Sequence, residues 1–129
     1  MQIEHVALWT NDLERLKAFY ETYFEARAGE KYVNPRKQFE SYFLTFASGA
    51  RLELMRRPNL VEQREHSGAP LAGYTHLAFS AGSKQQVDDL TAQLQVAGCL
   101  VVDGPHYTGD GYYESSVLDP DGNRIEITA

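Results

Sequence analysis

Apolar and polar positions alternate from Ile3 to Trp9, the period of a half-buried strand, with Ile3, His5, Ala7 and Trp9 on one face and Val6 and Leu8 on the other. The period then lengthens. Leu13, Leu16, Tyr20 and Phe24 recur at helical spacing, Glu14, Arg15, Lys17 and Glu21 are left to solvent, and Asn11-Asp12-Leu13-Glu14 resembles a capping box at the start. Gly29 is expected to end this segment. Three β-prone stretches follow, Lys31 to Val33, Phe39 to Phe46 and Arg51 to Met55, with a turn at Ala47-Ser48-Gly49.

The same order returns later in the chain. Tyr74 to Ser80 reads as a strand, Ser83 with Gln86 as a second capping box, and Val87, Leu90, Leu94 and Ala97 as the apolar stripe of a helix capped by Gly98. Leu100 to Val102, Tyr112 to Leu118 and Arg124 to Thr128 complete the set of strands. In Asp119-Pro120-Asp121-Gly122, proline pre-sets one dihedral and glycine supplies positive φ, so a turn is expected, with the aspartates as turn formers and not calcium ligands. Both halves therefore predict β-α-β-β-β. Module 1 covers about 1–57, a polar linker about 58–72, and module 2 about 73–129, all within one domain of 129 residues.

The repeat extends to chemistry. Glu4-His5-Val6-Ala7-Leu8 matches Thr75-His76-Leu77-Ala78-Phe79, and Gly49-Ala50-Arg51-Leu52-Glu53-Leu54 matches Gly122-Asn123-Arg124-Ile125-Glu126-Ile127. Each histidine precedes its glutamate by nearly the same length of chain. Alternation sets Leu52 and Leu54 opposite Glu53, and Ile125 and Ile127 opposite Glu126, so that aliphatic faces bury against the helices while His5, Glu53, His76 and Glu126 project from the other face. Two imidazoles and two carboxylates suit one divalent first-row metal ion, Ni²⁺, Co²⁺, Mn²⁺ or Zn²⁺, with coordination positions left for water or substrate. A lone histidine on a strand, or a lone glutamate between aliphatics, is ordinarily structural; equivalent placement twice is what favours ligation.

Remaining candidates have a plainer reading beside the functional one. Trp9, on the face of His5, would wall a substrate pocket or pack in a core. Tyr113 closes a Gly104-to-Tyr113 segment with three glycines and three tyrosines, which would serve as a lid over that pocket or as a surface loop. Arg51 and Arg124 would orient the carboxylates, meet an anionic substrate or form turn-flanking ion pairs. His66 and His106 lack repeat partners and are expected to be solvated or locally hydrogen-bonded. The sole cysteine, Cys99, excludes an internal disulfide, fits a reducing cytoplasm and is expected to be an inert buried thiol. A net charge of −6 without a basic cluster beyond Arg56-Arg57 argues against nucleic acid. No apolar run reaches the ~20 residues that span a bilayer, so no membrane partner is expected, and the opening residues lack the basic and apolar regions of a signal peptide.

With His5, Glu53, His76 and the closing Asp119-Pro120-Asp121-Gly122-Asn123-Arg124-Ile125-Glu126, the chain resembles, over its whole length, the vicinal oxygen chelate superfamily, and within it glyoxalase I-like proteins. The resemblance implies an α+β fold in which two paired βαβββ modules form an open, eight-stranded, barrel-like sheet around the metal. It also implies a homodimer with sites shared between chains. It further implies a lactoylglutathione lyase type of reaction on a small hemithioacetal formed from methylglyoxal and a thiol. There Glu126 would remove the C1 proton, Glu53 would share the acid–base work, and the metal would stabilise the enediolate. Bacterial glyoxalase I commonly has an arginine in the first strand that helps hold glutathione; Trp9 stands at the comparable position here. Among related activities, epimerases usually carry glutamine where Glu53 stands, thiol transferases use His-His-Glu, and ring-cleaving dioxygenases use an iron triad in a longer chain. Drug-binding relatives, which are not catalytic, typically lack the ligands.

Overall fold

The computed structural model describes residues 1–61 and 72–129. The expected linker, with His66, lies for the most part outside them. The chain divides into two compact units, Met1–His66 and Ser67–Ala129.

The first unit runs β1 (His5–Trp9), α1 (Leu13–Tyr23), β2 (Arg27–Ala28), β3 (Tyr32–Asn34), β4 (Phe39–Thr45) and β5 (Arg51–Arg56). The sheet order is β1-β5-β4-β2, and β3 also pairs with β4. β2 lies against the Leu44–Thr45 end of β4 and β3 against its Phe39–Ser41 end, so the two short strands share the role of one. β1 and β5 are parallel; the other pairings are antiparallel. The second unit runs β6 (His76–Ser80), α2 (Lys84–Val96), β7 (Val101–Tyr107), β8 (Tyr113–Leu118) and β9 (Arg124–Thr128), in the order β6-β9-β8-β7, with β6 and β9 parallel. Each unit is therefore one β-α-β-β-β module whose first and last strands lie side by side.

Burial follows the alternation. Leu52, Leu54, Ile125 and Ile127 are buried while Glu53 and Glu126 between them are only partly covered. In α1 the whole expected stripe is buried, with Phe19 added, and the helix packs on β4 and β5. In α2 the buried residues are Val87, Thr91 and Leu94; Leu90 is half-buried and Ala97, at the cap, is exposed. Thr91 can be buried because its hydroxyl donates to the Val87 carbonyl (2.6 Å) and meets the Ser115 hydroxyl (2.6 Å).

Several boundaries differ from the sequence expectation. The cap of α1 is Asp12, which accepts from the Arg15 N–H (3.0 Å); Glu14 does not reach back, because it is held by Lys17 and the Tyr42 hydroxyl. The helix ends at Tyr23 and not near Gly29: Glu25 adopts φ +55°, and the Phe24 and Ala26 N–H groups both donate to the Tyr20 carbonyl. α2 ends as expected. Gly98 has φ +90°, its N–H donates to Gln95 and that of Cys99 to Leu94, a closure that satisfies two last-turn carbonyls. β7 continues well past Val102, through Gly104 and Pro105 to Tyr107, so the first four residues of the expected lid or loop belong to an edge strand; two register shifts accommodate it.

Leu16 of α1 and Leu94 of α2 are fully buried. Leu16→Ala and Leu94→Ala are each expected to cost about 2–5 kcal/mol of stability, read from urea unfolding midpoints. An unshifted midpoint would remove that residue from the core.

Candidate metal centre

The register of the parallel pairs brings histidine and glutamate together in the same way twice. His5 is opposite Arg51 and Ala7 opposite Glu53; His76 is opposite Arg124 and Ala78 opposite Glu126. Each imidazole and carboxylate are thus diagonal neighbours on adjacent strands, close enough for their side chains to meet. In the first unit His5 Nε2 lies 4.0 Å from Glu53 Oε2; in the second His76 Nε2 lies 3.0 Å from Glu126 Oε2. The same ring nitrogen faces the carboxylate in both. Each unit thereby offers one nitrogen and one oxygen donor, and among the described residues no group of three or more His, Cys, Asp or Glu side chains gathers at one point.

Supporting residues differ between the units. Glu4, not foreseen as a functional residue, takes His5 Nδ1 and also accepts from the Arg51 guanidinium, whose Nε lies 2.8 Å away. The His5 hydrogen bond first, and Arg51 next, hold the Glu4 carboxyl below its usual range. A carboxylate on Nδ1 fixes the ring and directs Nε2 toward Glu53, the arrangement found behind metal-bound histidines. Arg51 also lies over the Phe43 ring (4.0 Å), and Phe43 meets His5 edge-on (5.5 Å). Arg51 therefore braces Glu4, not Glu53.

In the second unit Ser116 is opposite Glu126 on β8, which puts Glu114 on the same face. Burial first, and then the Glu126 charge, push the Glu114 carboxyl above its usual range, while His106 and His76 pull the other way. Tyr113 stands on the opposite face: its hydroxyl donates to Asp88 of α2 (2.7 Å) and Lys84 sits over its ring (4.5 Å). Glu114, and not the pocket candidate Tyr113, shares the face of Glu126. Trp9 does share the face of His5 and is 44% exposed.

The other candidates have local roles. His106 is exposed and its Nδ1 meets the Gly104 carbonyl (2.8 Å), which together with Asp103 raises its pKa. Cys99 is half-buried, and burial pushes its thiol up, away from nucleophilic character. Asp119 accepts from the Asp121 and Asn123 N–H groups (2.9 Å each) and from the Asn123 side chain (2.8 Å), as a turn former does.

These features define an α+β protein whose duplicated module presents a strand-borne His/Glu pair twice. The chain belongs to the Glyoxalase/Bleomycin resistance protein/Dioxygenase superfamily, whose sequence model matches residues 2–127. It is 32% identical to an uncharacterized protein of Pseudomonas aeruginosa over 98% of this chain and 86% of that one. It is 27% identical to an uncharacterized Bacillus subtilis protein over 98% of both. Its fold matches trypanothione-dependent glyoxalase I of Leishmania major (TM-score 0.76, 21% identity, 99% of this chain and 86% of that one). It also matches glyoxalase I of Zea mays (TM-score 0.75, 20% identity), covering 98% of this chain and 44% of the maize chain. Among the described residues no helix is long and apolar enough to cross a membrane.

The Asp88 contact first, with burial next, raises the Tyr113 pKa to about 12. A folded-state pKa above that of the free phenol means that stability is intact below about pH 10 and falls as pH rises toward 12. In an ultraviolet titration Tyr113→Phe should lose a late-ionising component, and Asp88→Asn should move it to lower pH. Unchanged titration curves would remove the contact.

Proposed function

We propose that this chain is a metal-dependent glyoxalase I-like lyase acting on a small hemithioacetal. His5, Glu53, His76 and Glu126 together hold one divalent ion, and the protein works as a cytoplasmic homodimer whose sites draw donors from both copies. The observation that carries this is the identical register of β1 on β5 and β6 on β9, which sets an Nε2 facing a carboxylate oxygen in each unit. The donors fit a borderline divalent cation: two imidazole nitrogens, two carboxylates, no thiolate. Glu4 on His5 Nδ1 supplies the outer support that such ligands require.

When bound, the metal stabilises negative charge developing on the substrate oxygens. Glu126 then takes the proton from the carbon beside the carbonyl and returns it to the neighbouring carbon. Glu114 adds a second carboxyl on the same face, its pKa raised by burial and then by the Glu126 charge. Glu53 shares the acid–base work from the other module. The alternative is a non-catalytic binder of a small planar ligand, favoured by the exposed Trp9 ring.

Elemental analysis of protein purified without chelator should find about one divalent ion per two modules, lost in His5→Ala and in His76→Ala. Retention in both variants would dismiss these ligands. Glu126→Gln should reduce turnover of methylglyoxal–thiol adducts by about a hundredfold or more, and a fully active variant would exclude it as the base. No turnover across a panel of thiols would favour the binding protein.

A further inference from the structure

The face of the first sheet that carries His5 and Glu53 continues into an aromatic end. Cross-strand register puts Trp9 opposite Met55, Met55 opposite Ser41, and Asn34 opposite Phe39, all on that face. The Trp9 ring meets Phe39 edge-on (centroids 6.2 Å, 89°), and Tyr32 leans on Phe39 from the other side (6.1 Å). Trp9 and Tyr32 remain 44% and 54% exposed, a large apolar surface for one corner of a sheet. Beside Phe39 a cleft of about 290 Å³ opens at the end of the sheet, lined by Asn34, Phe39 and Arg57 and, from the opposite face, by Val33 and the paired Glu40 and Arg56; Trp9 stands outside its lining. That is close to the lower size of small-molecule sites.

Two adjacent arginines divide at this corner. Arg56 is neutralised by Glu40 (3.2 Å). Arg57 turns to the other face, its guanidinium 4.8 Å from the centre of the Trp9 ring. Among the described residues Arg57 has no carboxylate partner. A guanidinium stacked on a ring is held in orientation while its N–H edge stays free for a two-pronged bond to a carboxylate or phosphate.

We propose that Trp9, Phe39 and Arg57 form a substrate subsite for a planar apolar group that ends in an anion, a reading that rests on His5 and Glu53 belonging to the reactive centre. Trp9 is four residues from His5, and Arg57 four residues from Glu53. At a strand's rise this is roughly 13 Å. The substrate class is therefore an elongated organic anion, its carbonyl end at Glu53 and its charge at Arg57. The rings receive the body, Arg57 selects the charge, and discrimination comes from leaving Arg57 unsatisfied when the charge is missing.

The only tryptophan in the chain is Trp9, so its fluorescence reports this corner alone. The intact protein is titrated with phenylacetate, phenylacetamide and acetate. Phenylacetate should change the emission saturably, with the neutral amide and the ringless acid each binding about tenfold more weakly. Arg57→Gln, a change at an exposed side chain, should reduce phenylacetate to the level of the amide, while Glu53→Gln should leave it unaltered. Absence of a saturable change, equal affinity for all three, or wild-type binding in Arg57→Gln would overturn the subsite. Failure of the metal reading is distinct: it loses the bound ion or turnover and leaves phenylacetate binding intact. Protein that binds metal but ignores phenylacetate rejects the subsite alone.

Discussion

Parallel pairing of the first and last strands of each unit is the constraint on which the rest depends. A parallel ladder needs a crossover, and α1 or α2 provides part of it, covering one face of the sheet. Once that face is closed by Leu52 and Leu54, or by Ile125 and Ile127, the glutamate between the two aliphatics has to emerge on the other side. The register then decides its neighbour. A slip by one residue would turn the imidazole into the helix layer and the carboxylate away from it. The same two-residue offset, His5 to Glu53 and His76 to Glu126, arises from aliphatic packing at sites that perform no chemistry.

Much of this was legible because it is periodic. β9 runs over Arg124–Thr128 as the alternation indicates, and α2 is bounded by Ser83 before it and Gly98 after it, where side-chain and backbone chemistry mark the ends. The aliphatic faces and the duplicated His/Glu spacing were equally readable. The family resemblance rests on the same residues, and the match of the family model over residues 2–127 shows the membership.

What was not legible depends on context. Gly104 and Pro105 have the composition of a turn, yet β7 passes through them, because an edge strand tolerates a residue that cannot donate. Glu25 takes a left-handed conformation that its residue type does not announce, so α1 stops short of Gly29. Tyr113 and Glu114 are neighbours of opposite facing. Only the register of β8 on β9 shows that the glutamate, and not the tyrosine, shares a side with Glu126. Glu4 was visible as a polar residue of the repeat, but its grip on His5 and Arg51 is a side-chain arrangement with no periodic signature.

Glu4 has one further implication. Its counterpart in the second module is Thr75, which carries no charge. Two halves that share a sequence pattern are therefore not interchangeable in charge. His5 is tethered by an acid that Arg51 steadies, and among the described residues no such acid holds the far ring nitrogen of His76. The two repeats thus differ in how firmly the histidine is held, through a residue that meets only the far nitrogen of the ring.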